Sequence, residues 1–144
     1  MNFKALAPHA ARAVLGLVFA VFGLNHLLHF LPTPPLSAPA AKLAGAFVES
    51  GYLMGLVGLT EVVCGALLLS NRLVPLALVV LAPVMVNIVA FHAFLEPPQT
   101  LVMPLVLMGL QLFLAWTHRA AYAPLFRAPA RSAQTRSQEL AGAV

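Results

Sequence analysis

The chain has 144 residues, 61% hydrophobic and only 8% charged, with a formal net charge of +4 and a mean hydropathy of +0.93. A soluble domain carries about 25% charged residues, so this composition excludes an ordinary soluble domain and points to a membrane protein. The pI near 10.0 invites a nucleic-acid reading, but the basic residues are spread along the chain rather than gathered in a patch, and no nucleic-acid partner is expected.

Four apolar stretches, 13–31, 52–70, 73–95 and 101–117, are long enough to cross a hydrocarbon core of about 30 Å, which takes roughly 20 helical residues. They lack the period-two alternation of a barrel strand, and backbone amides in lipid must bond within their own segment, so each reads as a helix. The expected fold is all-α: a four-helix transmembrane bundle forming one domain over residues 1–126.

Lys4 and Arg12 precede the first span, and Ala38-Pro39-Ala40 faintly resembles a signal-peptide cleavage site. The apolar run continues through Phe30, however, and cleavage would leave three crossings with the new N-terminus outside, so a retained span is expected. Leu31-Pro-Thr-Pro-Pro-Leu-Ser37 is too rich in proline for helix. Beyond it, Leu43, Phe47 and Val48 share one side of a short interfacial helix starting near Pro39 and ending at Gly51.

Spans two and three are joined by little more than Asn71-Arg72 and must be antiparallel neighbours. Pro83 and Pro104 are expected to kink the third and fourth spans, freeing the carbonyls of Val79 and Thr100. After Arg119 the chain turns to Ala, Pro, Arg, Ser and Gln, and 127–144 reads as a disordered basic tail that touches anionic lipid. Lys4, Arg12, Arg72, Arg119, Arg127, Arg131 and Arg136 fall on one side of the membrane and Lys42 alone on the other, so both termini are expected in the cytoplasm.

The polar residues inside these spans are few. At about 1.5 Å of rise per residue, Asn25, Glu61, Asn87 and Gln111 all fall at or just outside the midplane, with His29 and His92 nearer the outer boundary. They are expected to form one layer contributed by four helices. Asn25-His…Pro-Pro at the end of span one and Asn87…His92…Pro97-Pro98 at the end of span three hint at two duplicated hairpins. Gly58 and Gly65 lie about 20° apart in helical projection, with Glu61 within about 60° of either. This gives span two a small-residue face, extended by Gly51 in the same series, that lets another helix approach closely.

An ionised carboxylate at the centre of a membrane helix costs about 2.5 kcal/mol or more. Glu61 therefore reads either as a proton relay or head-group partner, or as a structural carboxyl clasped by Asn25, Asn87 or Gln111. Asn25 and His29, four apart, are presented together, while His26 turns toward Gly23. His29 and His92 could bracket a haem, but no second His pair or attachment motif supports one, and no metal is expected because Glu61 lies a turn or two deeper than the histidines. The single Cys64 rules out a Cys-x-x-Cys relay and reads as a buried, inert thiol. Phe19, Phe22, Phe91 and Phe94 read as packing or as the wall of a quinone pocket.

At Glu61-Val-Val-Cys-Gly65-Ala-Leu-Leu-Leu-Ser-Asn-Arg72, and at Arg12-Ala-Val-Leu-Gly16-Leu-Val-Phe-Ala-Val-Phe22-Gly-Leu-Asn-His26, the sequence resembles the DoxX family of bacterial membrane proteins over roughly 12–119. Many relatives have Lys where His26 stands, a departure that bears on the role of any basic group there. The resemblance implies a four-helix protein of the bacterial inner membrane, related in the family's naming to the membrane subunit of a thiosulfate:quinone oxidoreductase. It implies quinone reduction coupled to a soluble or peripheral redox partner, with Glu61 and either Asn25 or His26 holding or protonating a quinone oxygen. No Gly-x-Gly-x-x-Gly precedes a soluble helix, so a flavin or donor domain would belong to another chain. The alternative is a non-catalytic scaffold or small-solute carrier in which the same layer, with Asn25, His26, His29, Asn87, His92 and Gln111 as its ligand-binding residues, is a site without redox chemistry. Homo-oligomerisation is left open.

Overall fold

The computed structural model describes residues 3–32 and 34–126; the basic tail, with Arg127, Arg131 and Arg136, lies outside the described residues. These residues form helices α1 (Phe3–Leu28), α2 (Ala38–Glu49), α3 (Leu53–Leu69), α4 (Val74–Leu95), α5 (Val102–Thr117) and the single turn α6 (Arg119–Tyr122), with 3-10 turns at Pro98–Leu101 and Ala123–Phe126. No strand occurs among the described residues.

Three helical segments are long and apolar enough to cross a membrane: Leu6–Leu28, Val74–Leu95 and Pro98–Thr117. The 17-residue α3 is shorter, about 26 Å at 1.5 Å per residue. It supplies a fourth crossing only when taken with α2, from which it is bent by 90°. Helices α1, α3, α4 and α5 close a ring in that order, each touching the next and α5 returning to α1.

α1 begins ten residues before the expected span, taking in Pro8, because the segment from Phe3 continues the helix without a break. It also stops earlier, at Leu28 rather than residue 31. The Asn25 carbonyl accepts from the His29 N–H at 2.8 Å, the Asn25 side chain accepts from the Leu31 N–H at 2.7 Å, and His29 takes a left-handed φ of 53°. The backbone bond is the last of the helical series; the left-handed His29 and the Asn25 side chain end the helix, and the prolines beyond prevent its resumption.

The short loop helix forms as expected. Ser37 caps α2 by accepting from the Ala40 N–H, with Pro39 in the first turn. Ser37 also binds the end of α4: its N–H donates to Glu96 Oε1 at 2.9 Å and its hydroxyl donates to the Leu95 carbonyl. Gly51, placed by the sequence pattern in the small-residue stripe, instead lies outside α3 with φ +76°. That left-handed conformation makes the corner between α2 and α3.

The buried faces follow helical periodicity. α3 buries Gly58, Glu61, Cys64, Gly65 and Leu68, α4 buries Val74, Ala77, Leu78, Leu81 and Met85, and α5 buries Pro104, Leu107, Gln111 and Leu114. Cys64, Leu68, the five residues of α4, Leu107 and Leu114 meet Ala11, Leu15 and Phe19 of α1 in one core. The opposite faces are apolar and open, Phe94 being 85% exposed and Trp116 69%, as lipid-facing surface requires. Pro83 lies inside α4, where the ring removes the N–H that would bond the Val79 carbonyl. Pro104 corrects an expectation: it is the third residue of α5, in the first turn, where an N–H has no intrahelical acceptor to lose and a kink is not needed.

Candidate functional site

Among the described residues the most extensive helix–helix contact is between α1 and α3, which run antiparallel. Gly16 faces Gly65 and Gly23 faces Gly58, two pairs at heptad spacing on both helices. A Cβ on Gly65 would sit 2.6 Å from the Ala20 nitrogen and 2.8 Å from the Gly16 carbonyl oxygen. One on Gly23 would meet the Gly58 oxygen and the Val62 nitrogen at 2.8 Å. The backbones are in contact, as small-residue stripes allow in membranes. The stripe on α3 was legible in the sequence. Its counterpart, Gly16 and Gly23 at the same seven-residue spacing, was the signal that could have named α1 as the partner.

Glu61 lies between the two glycine contacts of α3 and is 2% exposed. His26, one turn beyond Gly23, packs its Cβ where a side chain on Gly58 would otherwise stand and brings Nε2 to 3.5 Å from Glu61 Oε2, with 34% of the imidazole side chain still exposed. That separation allows charge attraction but makes no hydrogen bond, and Oε2 is left buried without a partner. A buried polar atom without a partner requires an explanation. Here the unspent capacity sits beside a ring that reaches the surface. Chemically, the pair can share one proton and pass it between a sealed carboxyl and an accessible imidazole.

The remaining polar residues do not join them, and the single four-helix layer is corrected. Asn25 is occupied in ending α1. Asn87 is exposed on α4, in a shallow groove of about 210 Å³ shared with Leu43, Phe91 and Phe94. Gln111 is buried and donates to the Leu78 carbonyl at 2.9 Å, its own Oε1 lacking a partner. His29 is exposed just past the end of α1. His92 places Nδ1 2.8 Å from the Ile88 carbonyl and meets Phe91 edge to face. Asn25 and Asn87 thus do different work, and the hint of duplicated hairpins does not extend to these side chains. Cys64 is buried one turn from Glu61. Phe19 is core and Phe22 is exposed. Among the described residues no group of three or more His, Cys, Asp or Glu side chains could hold a metal.

The Gln111 bond has a measurable consequence. Leu78 belongs to a continuous helix whose carbonyl already has a backbone donor, and interhelical polar bonds average about 0.6 kcal/mol. Gln111→Met, which also removes the unpartnered Oε1, is therefore expected to shift stability by less than about 1 kcal/mol, as read from the thermal midpoint in detergent.

Arg12 was missed as an interior contact, having been read only as a topological charge. One of its terminal nitrogens donates to the Leu68 carbonyl at 2.5 Å and to the Leu69 carbonyl at 3.2 Å, satisfying the end of α3 and complementing its dipole. Its position four residues before Gly16, on the glycine face, was the available signal.

Several apolar helices built around a glycine-lined seam with one sealed carboxyl define a multi-pass helical membrane protein. The DoxX family model matches residues 7–93, more than half of the chain and all of α3 and its contacts with α1, and the chain belongs to the DoxX family. No curated protein and no solved structure matches it significantly.

Proposed function

We propose that this DoxX protein is a quinone-interacting subunit of an oxidoreductase in the bacterial inner membrane, with both termini cytoplasmic and a separate peripheral chain as the redox donor. The observation that carries the proposal is Glu61, sealed in the α1–α3 seam with Oε2 unpartnered and 3.5 Å from a partly exposed His26. Intramembrane ionisable residues mark proton or substrate pathways by default.

Reduction of a quinone to a quinol consumes two electrons and two protons. The electrons would come from the partner chain. His26 would donate a hydrogen bond to a quinone oxygen arriving from the lipid side and release one proton there, Glu61 would re-protonate the imidazole, and water at the exposed edge of the ring would supply the second proton and reload the carboxyl. Burial keeps the Glu61 carboxyl from water while the imidazole of His26 remains accessible, so proton exchange with the carboxyl runs through His26.

A second reading, a scaffold without chemistry, draws on the glycine seam itself, which closes α1 on α3 with no room for a solute between them. Binding separates the two. Full-length protein in nanodiscs is expected to retain a short-chain quinone analogue, measured by redox difference spectra. Glu61→Gln and His26→Leu should each weaken that retention at least tenfold while leaving the thermal midpoint of Glu61→Gln nearly unchanged. Equal retention by all three proteins would discard the quinone reading in favour of the scaffold.

A further inference from the structure

At the end of the bundle where α1 starts, α3 turns into α4 and α5 finishes, a cavity of about 320 Å³ is lined by His9, Arg12, Asn71, Thr117 and His118. Its size is at the lower end of small-molecule sites, roughly 300–1,000 Å³. Three separate segments deliver these side chains, and each delivery has a local cause. His9 and Arg12 are three apart on α1 and share a face. Asn71 projects from the α3–α4 turn in a left-handed conformation, φ 56°, that asparagine tolerates. His118 is held at the end of α5 by Nδ1 contacts to the Leu114 carbonyl at 2.9 Å and to the Thr117 hydroxyl at 3.0 Å.

The charge around the cavity has one sign. Arg72 follows Asn71 and Arg119 follows His118 directly in the chain. The carboxylates among the described residues are elsewhere: Glu49 ends α2, Glu96 follows α4 at the opposite end, and Glu61 is within α3. Arg12 spends one nitrogen on the α3 carbonyls while its Nε finds no acceptor, so the guanidinium keeps donors in reserve. Two aromatic residues place this end at the level of lipid head groups. Trp116 is exposed with the Arg119 guanidinium 5.2 Å above its ring. Half-buried Tyr122, whose phenol pKa is pushed up by burial, donates to the Pro75 carbonyl at 3.2 Å. Trp, Tyr and Arg together are the anchors of a membrane–water interface.

We infer that this cavity is a binding site for a phosphate group, supplied by the head group of an acidic glycerophospholipid, with Arg12 as the fixed cation and His9, Asn71 and His118 as donors around it. Such basic recesses at the end of a bundle suit a phosphodiester because a planar, multi-donor guanidinium matches its oxygens. The site is separate from the Glu61–His26 pair and stands without the quinone reading.

The test is retention by delipidated full-length protein, followed by native mass spectrometry and thermal midpoint, with phosphatidylglycerol, phosphatidylcholine or inorganic phosphate added. Phosphatidylglycerol is expected to be retained as a single molecule, at least tenfold more tightly than phosphatidylcholine, and to raise the midpoint. Arg12→Gln should abolish the preference. Because Arg12 also holds the end of α3, the pair His9→Gln with His118→Gln provides a second variant that leaves that hold intact, and it should lose at least tenfold in retention. The basic tail is unaltered in both variants, so their losses report on the cavity. Equal retention of the two lipids, undiminished retention in the histidine variant, or stabilisation by inorganic phosphate without any by phosphatidylglycerol would each overturn the assignment.

Discussion

Gly65→Val is expected to part α1 from α3 and to remove most folded protein from detergent extracts. A single Cβ at this position would lie 2.6 Å from the Ala20 nitrogen and 2.8 Å from the Gly16 oxygen. Both obstacles are backbone of a facing helix, which cannot rotate aside as a side chain can. Overpacking a well-filled interior costs about 1–3 kcal/mol for small insertions; here even alanine reaches that range, and valine adds two methyl groups to the same contact. Opening the seam would also expose Glu61 to lipid.

The control lies in the same protein. Gly55 and Gly109 have nothing within 4 Å of a built Cβ, and alanine at either is expected to gain about 0.5–1 kcal/mol from helix propensity. Thermal midpoints of the three variants in one detergent check the ordering. A Gly65 variant as stable as Gly55→Ala would contradict the close seam.

His26→Ala should destabilise the protein more when Glu61 is present than when position 61 is Gln. The carboxyl is 2% exposed, and Nε2 of His26 is the basic atom within 3.5 Å of it. Removing one partner of a buried pair strands the other, at a cost of about 3–5 kcal/mol in well-buried cases. Since a third of the imidazole side chain is exposed, the lower end of that range is expected. In the double variant His26→Ala with Glu61→Gln no charge is stranded, and most of the loss should be recovered, giving a coupling energy of about 1–3 kcal/mol. His26→Lys, which keeps a basic group beside the carboxyl, should be tolerated. Chemical unfolding of all four proteins measures the cycle, and additivity within about 0.5 kcal/mol would show that the pair does not interact.

Much of this architecture could be read without coordinates. The apolar runs, the proline-broken loop, the short helix starting near Pro39, and the small-residue face around Glu61 all depend on segments a few residues long, and the observed helices follow them. The errors came at helix ends and around helix axes. The first span was ended at 31 rather than 28 because the Asn25 side-chain bond to Leu31 N–H is a conformational choice that hydropathy does not encode. Asn87 turns outward rather than into the bundle, since rise per residue sets only position along the helix, whereas the packing of α4 against α3 and α5 sets which face turns outward. Asn25 and His26 are neighbours about 100° apart on one helix, and only the position of α3 determines that the imidazole, rather than the amide, meets the carboxyl.

Membrane residence and helix content follow from the chain alone, because hydrocarbon admits only segments that satisfy their own backbone bonds and carry apolar side chains, and both requirements are met or failed within a single stretch. The pairing of Gly16 and Gly23 with Gly65 and Gly58, the approach of His26 to Glu61, the seat of Arg12 on the end of α3, and the convergence of His9, Asn71 and His118 on one cavity required the folded bundle. Each depends on the relative rotation and height of two or more helices, and those are settled by close packing between segments distant in sequence.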